Sequence, residues 1–270
     1  MREEPSPASV IGDLRIHSFR SAVFGNRRNL RIWLPPGYDD RLNRSRRYPV
    51  LYLNDGQNLF ESSTAFGGVD WEVDESADRL IRERRIEPLI IVGIDNAGNE
   101  RIREYVPYRW FDIPVRNVLG KKYPGFLLEE VMPFVQKRYR VAAGPQNTGL
   151  GGSSLGGLIA LYTAMRRPRQ FGRLLVESPS LFVGDRRVLL DSARVKRWPE
   201  RIFLGVGTRE LGDDERSHQV VEDVRALEQI LRAAGLSGDR LEVDIDEGAS
   251  HSESAWARRF PEALAFLFGK

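Results

Sequence analysis

The fold of this chain is decided by the stretch Thr148-Gly-Leu-Gly-Gly-Ser-Ser-Leu-Gly-Gly-Leu158. It contains Gly152-Ser-Ser-Leu-Gly156, which matches the pattern G-x-S-x-G. An apolar run ends at the glycines, and the amphipathic segment 158–165 begins directly after the serines. Strand, sharp turn and helix are the context in which this pattern presents a nucleophilic serine. Glycines two residues on either side of Ser154 leave room for the strained backbone of such a turn, so Ser154 is the candidate nucleophile.

Short apolar runs recur along the chain and alternate with segments of helical periodicity. Several of these runs are continuously apolar, which is typical of parallel strands covered on both faces. The alternation predicts an α/β fold with a central, mostly parallel, eight-stranded sheet and helices on both faces. Residues 14–34 give two strands around Gly25-Asn26 without a helix between them, which predicts an antiparallel N-terminal hairpin. The other predicted strands are 48–53, 89–94, 147–150, 174–176, 202–206 and 241–245, and the predicted helices are 70–84, 126–138, 155–166, 215–234 and 254–268.

Composition narrows the class of protein. The chain has 270 residues, 41% hydrophobic and 29% charged, which fits one domain spanning 1–270. The formal net charge is only +3, and the short basic clusters at 44–47 and 82–85 are interpreted as solvated surface rather than a nucleic-acid site. No apolar run reaches the roughly 18 residues of a membrane span. The N-terminus shows no apolar leader, so a cytoplasmic monomer or homodimer without a membrane partner is expected, with a secreted form already trimmed of its leader as the alternative.

Cofactor motifs are incomplete in this sequence. The pattern G-x-G-x-x-G fails because position 154 is serine, and the phosphate-binding pattern G-x-x-x-x-G-K fails because no lysine follows. There is no cysteine, and no group of His, Asp and Glu has metal-ligand spacing. The sequence therefore predicts an enzyme without a cofactor or metal.

The base that would activate Ser154 is found among three histidines. A serine hydroxyl needs a base to remove its proton, and an acid to orient that base. In the α/β-hydrolase arrangement both follow the serine, the acid first and the histidine second. His251 lies in a loop between the last predicted strand and the last predicted helix, where the base belongs. His17 and His218 are interpreted as surface or helix-capping residues.

The acid is expected on the loop 207–214, which follows the predicted strand 202–206. Glu210 is closest to the end of the strand and is the first candidate. Asp213 and then Asp214 are the alternatives.

Backbone amides are expected to stabilise the oxyanion of an acyl-transfer reaction. One is the amide of Leu155, at the start of the helix that follows the nucleophile, where N–H groups are unpaired. The other is expected in the loop 54–60 after the strand that ends at Leu53. There Gly56 permits close approach of the backbone, and the amide of Gln57 is the candidate.

The chain resembles the "Putative esterase" family of α/β-hydrolases almost from end to end. The family includes siderophore, feruloyl and acetyl-xylan esterases, S-formylglutathione hydrolase and mycolyltransferases. The resemblance implies the α/β-hydrolase fold, Ser154 as nucleophile, His251 as base and a carboxylate after the seventh strand. Asn54 stands where many members carry histidine, and some siderophore esterases work with a dyad, in which case Glu210 is dispensable. The stretches that carry the resemblance are 29–38, 48–60, 91–96, 101–107, 129–134, 152–157, 177–180, 207–210 and 251–261.

The predicted activity is hydrolysis of a small-molecule carboxylic ester through an acyl-enzyme. A siderophore trilactone, a feruloyl ester or an acetyl-xylan ester is an alternative narrow substrate, and an acyltransferase would use the same residues. The segment 96–124 lacks periodicity and is rich in aromatics, arginine and proline, so it is expected to line or cover the pocket. Aromatic residues expected near its mouth are Phe60, Trp71, Tyr105 and Trp110.

Two arginines in the segment 96–124 invite a role in binding an anionic substrate. Arg101 and Arg103 are instead expected to pair with Glu100 or Glu104.

Overall fold

Eight strands form one sheet within residues 10–109 and 117–269, the part of the chain that the computed structural model describes. The strand order is β1-β2-β4-β3-β5-β6-β7-β8. β2 pairs antiparallel with β1 and with β4, and the remaining neighbours pair in parallel. The predicted mostly parallel sheet with an antiparallel N-terminal hairpin is confirmed. The strands are β1 Asp13–Arg20, β2 Arg27–Leu34, β3 Val50–Asn54, β4 Ile90–Ile94, β5 Thr148–Ser153, β6 Arg173–Glu177, β7 Arg201–Arg209 and β8 Leu241–Ser250.

The longer helices agree with the predicted ones to within a few residues. The predicted helix 126–138 begins earlier, as α3, and passes through a π-helical turn, Phe126–Val131, before α4. None of the helices in the described ranges is long and apolar enough to cross a bilayer. The helices are α1 Val73–Arg82, α2 Arg101–Tyr105, α3 Tyr123–Gly125, α4 Met132–Arg138, α5 Leu155–Arg166, α6 Arg187–Ser192, α7 Asp214–Ala233 and α8 Glu253–Phe268.

The two faces of the sheet are covered by different helices. In β3, Val50 and Tyr52 point to one core and Leu51 and Leu53 point to the other, because successive side chains of a strand face opposite sides. The first core contains side chains from α4, α5 and α7, and the second contains side chains from α1 and α8. All four of these strand residues are buried, which explains why the parallel strands are continuously apolar.

The two ends and the buried face of helix α7 follow from its sequence. The Asp213 side chain accepts a hydrogen bond from a backbone N–H of the first turn, which caps the helix. Val224, Leu227 and Leu231 follow the spacing of one helical face and are buried against the sheet. Gly235, with φ of +88°, lies just beyond the end of the helix, in a conformation that favours glycine.

The candidate site residues meet because of the sheet topology. Ser154 follows β5, Glu210 follows β7 and His251 follows β8. These three strands run in parallel, so their carboxyl ends lie at the same edge of the sheet.

Candidate active site

The turn at Ser154 holds an unfavourable backbone conformation. Ser154 has φ of +56° and ψ of −125°, between the end of β5 and the start of α5. Such a conformation costs a non-glycine residue on the order of 1–3 kcal/mol, and neighbouring structure must enforce it. The Ser154 amide donates to the Glu177 carbonyl at 2.9 Å, and the Ser180 amide donates to the Ser154 carbonyl at 3.1 Å. These two bonds fix the turn, and Ser154 lines a cavity there.

The glycines beside Ser154 are required by close approach. A Cβ atom on Gly152 would lie 2.8 Å from the backbone carbon of Gly156. A Cβ atom on Gly156 would lie 2.9 Å from a carboxylate oxygen of Asp55. Side chains at these positions would therefore push α5 away from β5 and from the loop after β3.

His251 and Glu210 form a short hydrogen bond. The Nδ1 atom of His251 lies 2.5 Å from Oε2 of Glu210. The other carboxylate oxygen of Glu210 accepts from the Ser178 hydroxyl and the Gly207 amide, each at 2.6 Å. Burial raises the pKa of Glu210, but the hydrogen bonds from His251, Ser178 and Gly207 outweigh it and hold the pKa below its usual value. The carboxylate is thus ionised and oriented towards the imidazole.

The alternative acids and histidines lie elsewhere. Asp213 caps α7, where its carboxylate accepts from the Arg216 amide at 2.7 Å, and Asp214 is exposed in the first turn of that helix. His218 is exposed on α7. The Nε2 atom of His17, on β1, lies 2.6 Å from the hydroxyl of Tyr139. Among the candidates, the structure brings Glu210 to His251.

A cavity of about 570 Å³ contains both Ser154 and His251 in its wall. In this structure the Ser154 hydroxyl lies 3.3 Å from the Ser180 hydroxyl. Six amide or hydroxyl side chains contribute to the rest of the wall, so the cavity offers hydrogen bonds to a polar substrate. These polar wall residues are Gln57, Asn58, Thr64, Asn96, Asn99 and Ser153.

Comparison with known proteins places the chain in a family. Residues 21–267 match the protein family described as "Putative esterase". The chain belongs to this esterase family. It is an ester-hydrolysing enzyme, and the resemblance inferred from its motifs is confirmed.

Curated relatives of this esterase cover most of its length. It is 28% identical over 252 residues to the protein YbbA of Bacillus subtilis, covering 91% of this chain and 94% of that protein. It is 26% identical over 262 residues to an endo-1,4-beta-xylanase/feruloyl esterase of Xylanibacter ruminicola. That alignment covers 95% of this chain but only 31% of the relative, so the esterase spans about a third of that longer protein.

Solved structures show the same fold. The siderophore hydrolase EstA from Aspergillus nidulans superposes with a TM-score of 0.73 at 21% identity, over 98% of both chains. At this identity the similarity establishes the α/β-hydrolase fold of the esterase.

The two predicted oxyanion donors belong to different segments, the start of α5 and the loop after β3. Leu155 is the first residue of α5, so its amide is one of those that have no partner within the helix. Gln57 lies in the cavity wall on a short helical turn, and its side-chain oxygen accepts from the Asn96 amide at 3.1 Å. The oxyanion site itself stays a prediction.

Three aromatic residues expected near the mouth of the pocket lie in the core instead. Phe60, Trp71 and Tyr105 are 1%, 2% and 0% exposed. Trp71 packs against Trp256 and Phe260 of α8, and the Tyr105 ring packs against the Tyr123 ring. Burial of such large rings is strongly favourable. Trp110 lies outside the described residues.

Sequence reasoning missed two aromatic residues and one acid of the cavity wall. Phe66 and Trp256 supply its aromatic surface, and the Trp256 ring stands edge-on to the His251 imidazole at 5.0 Å. Glu253 accepts from the Asn58 amide at 3.2 Å, and burial raises its pKa. Glu253 and Trp256 belong to the motif that begins at His251, so their spacing from it was the available signal.

Part of the segment 96–124 does line the cavity. Arg101 contributes to the wall and makes a bidentate ion pair with Asp55, at 2.7 and 2.8 Å. The expectation that Arg101 pairs with Glu100 or Glu104 is wrong, because α2 turns its guanidinium towards the loop after β3. Arg103 pairs with Glu100 at 3.0 Å, as expected.

Asn54 connects the loop after β3 to α5. Its side-chain amide donates to the Gly156 carbonyl at 2.8 Å, and its oxygen accepts from the Tyr123 hydroxyl. The side chain is buried. The asparagine thus holds the loop that carries Gln57 against the helix that follows Ser154.

Proposed function

We propose that this esterase hydrolyses small carboxylic esters through an acyl-enzyme on Ser154. The observation that carries the proposal is the 2.5 Å bond from Glu210 to His251, which shares a cavity wall with a serine on a strained turn. Glu210 holds Nδ1 of His251 protonated and leaves Nε2 free to act as the base. The ionised, buried state of Glu210 supports this role.

The reaction would proceed in two steps. In the first, His251 takes the Ser154 proton while the serine oxygen attacks the ester carbonyl. The amides of Leu155 and Gln57 are the proposed donors to the oxyanion. His251 then returns the proton to the departing alcohol, which leaves the acyl group on Ser154. In the second step water attacks, His251 takes its proton and returns it to Ser154, and the acid is released.

The alcohol or acid part of the substrate is proposed to be polar. The amide-rich cavity wall suits a substrate with hydroxyl groups, and Phe66 and Trp256 suit a flat or apolar part of it. Feruloyl esters and siderophore lactones are the first candidates, because relatives carry the names feruloyl esterase and siderophore hydrolase.

The test is release of p-nitrophenol from acetate, butyrate and octanoate esters by the native enzyme and by Ser154→Ala. We expect kcat/KM to fall by at least about 1,000-fold in the variant, because no other group replaces the nucleophile. Ser237→Ala is the control, since Ser237 is exposed and its side chain caps no helix. An activity equal in native enzyme and Ser154→Ala would refute the mechanism.

A second experiment tests the reactivity of Ser154 without requiring the right ester substrate. A fluorophosphonate probe should label the native enzyme and the control at Ser154 and leave Ser154→Ala unlabelled. If the native enzyme is labelled but ignores simple esters, feruloyl esters and siderophore lactones are tested next. Absence of labelling would count against an activated serine.

A further inference from the structure

Two basic segments lie side by side at the edge of the sheet opposite the candidate active site. Arg166-Arg-Pro-Arg169 begins at the last residue of α5, and Arg194-Val-Lys-Arg197 precedes β7. Both segments line one shallow cleft of about 450 Å³. Together these two segments, here called the basic face, bring six cations and no acid to one surface.

The basic face is unusually charged for this chain. The formal net charge is +3, so the rest of the chain carries a net charge of −3. All six cations are exposed. Within the described residues, no ion pair involves Arg169, Arg194, Lys196 or Arg197. The carboxylate of Asp191, which lies in the same cleft, is already paired with Arg187 at 3.2 Å.

The dipole of helix α5 explains the positions of only some of these cations. Arg166 and Arg167 lie at the C-terminal end of α5, where cations are favoured by the helix dipole. The segment 194–197 belongs to no helix and lies nearly thirty positions later in the sequence. Its approach to the end of α5 therefore concentrates charge without a structural role in that helix.

An exposed leucine adjoins the basic face. Leu190, on α6, is 58% exposed. It lines a neighbouring cleft together with Arg166 and Arg187. Two acids, Asp185 and Asp191, also line that cleft, and Asp191 is the one paired with Arg187. An exposed apolar side chain beside a cluster of cations is a combination that binds the interface of an anionic bilayer, where the cations meet headgroups and the apolar group enters the acyl boundary.

We propose that the basic face binds peripherally to an anionic lipid bilayer, with Leu190 entering the interface. This departs from the expectation that the chain has no membrane partner. A single-stranded nucleic acid fits less well, because neither basic segment contains an aromatic residue on which bases could stack. The binding needs no transmembrane helix, since it uses surface charge and one side chain.

The orientation has a consequence for the substrate, which rests on the proposed function. Helix α5 runs from Ser154 to the basic face, a length of about 18 Å for its 12 residues. An enzyme bound through the basic face would present its cavity to water rather than to the bilayer. Its substrates would then be water-soluble esters near a membrane surface, not the lipids of that membrane.

The experiment measures binding of the full chain to vesicles of phosphatidylcholine, with and without phosphatidylglycerol. We expect binding to the anionic vesicles only, weakened by added salt because screening shortens the range of the attraction. The variant Arg166→Gln/Arg169→Gln/Lys196→Gln/Arg197→Gln should bind at least about 100-fold more weakly. Leu190→Gln should weaken binding several-fold at the same net charge.

The matched control removes the same charge elsewhere. Arg20→Gln/Arg27→Gln/Arg41→Gln/Arg44→Gln changes four exposed cations outside the basic face. It should bind vesicles nearly as the native chain does, and both quadruple variants should keep native activity on soluble esters. Equal loss in both variants, no binding to anionic vesicles, or tighter binding to DNA than to vesicles would overturn the proposal. Ser154→Ala should bind vesicles normally, so a failed esterase assay and a failed binding assay remain distinguishable.

Discussion

The two edges of the sheet use charge in opposite ways. At the catalytic edge buried carboxylates are paired with partly buried bases, as with Glu210 and His251 or Asp55 and Arg101. At the other edge the basic face leaves six cations exposed. A buried pair works only in one fixed geometry, so loss of either member should abolish its contribution to activity or stability. Exposed cations act through their summed field, so each should contribute a small and similar share.

A second buried ion pair at the catalytic edge joins Glu177 and Arg259, next to the turn at Ser154. The two side chains are almost completely buried, and the guanidinium donates to the carboxylate at 2.8 and 3.0 Å. Burial raises the pKa of Glu177, and Arg259 opposes that rise. Because the Glu177 carbonyl also accepts from the Ser154 amide, this pair supports the strained turn from below.

The largest expected effect is on activity at the catalytic edge. Glu210→Gln should lower kcat/KM by about 10³- to 10⁴-fold, because the imidazole loses its orienting carboxylate. In a His251→Ala background the same substitution should cost no further activity, since the two residues act as a unit. Steady-state kinetics on p-nitrophenyl esters measures both effects.

The control for Glu210 is Asp213→Asn. Asparagine also caps helices well, so this variant should keep native activity and nearly native stability. Full activity in Glu210→Gln would show that Ser154 and His251 suffice as a dyad.

A smaller effect is expected on stability at the same edge. Arg259→Met should lower the free energy of unfolding by about 3–5 kcal/mol, because it leaves the Glu177 carboxylate buried without a cation. Adding Glu177→Gln should restore a large part of the loss. Urea denaturation measures the change, with Arg258→Met as control because Arg258 is exposed and its ion pair with Asp246 contributes little. If Arg259→Met and Arg258→Met lowered the free energy of unfolding equally, the buried pair would stabilise the protein no more than the exposed one.

The sequence was informative where local pattern and chemistry agree. Apolar runs predicted the strands because parallel strands are buried on both faces, as Leu51 and Tyr52 show. The glycines around Ser154 predicted the turn because its crowding can be deduced from the motif. The side-chain directions of Phe60 and Trp71 could not be predicted, because the packing of α1 against α8 decides whether a ring is core or pocket.

Contacts between segments that are distant in the chain could not be predicted from the sequence either. The Asp55–Arg101 pair joins the loop after β3 to α2, which no spacing rule relates. The basic face was not recognised because 166–169 and 194–197 become neighbours only after the chain forms β6 and α6 between them. Each of the two segments alone resembles the short basic clusters at 44–47 and 82–85, so only their meeting in the fold distinguishes them.

The smallest effects are expected from single substitutions in the basic face. These substitutions test most directly whether its cations act through their summed charge, unlike the paired groups of the catalytic edge. Arg166→Gln, Arg169→Gln, Lys196→Gln and Arg197→Gln should each weaken binding to anionic vesicles by about fivefold, since a cation near an anionic surface contributes about 1 kcal/mol. The product of the four single effects should be close to the effect of the quadruple variant, because exposed charges that share no ion-pair partner contribute nearly independently. A single substitution that abolished binding would instead indicate a specific headgroup site, built by geometry as the catalytic edge is. Vesicle titrations of the four variants at low and high salt distinguish these outcomes, because summed charge loses its effect with salt and a shaped site retains much of it.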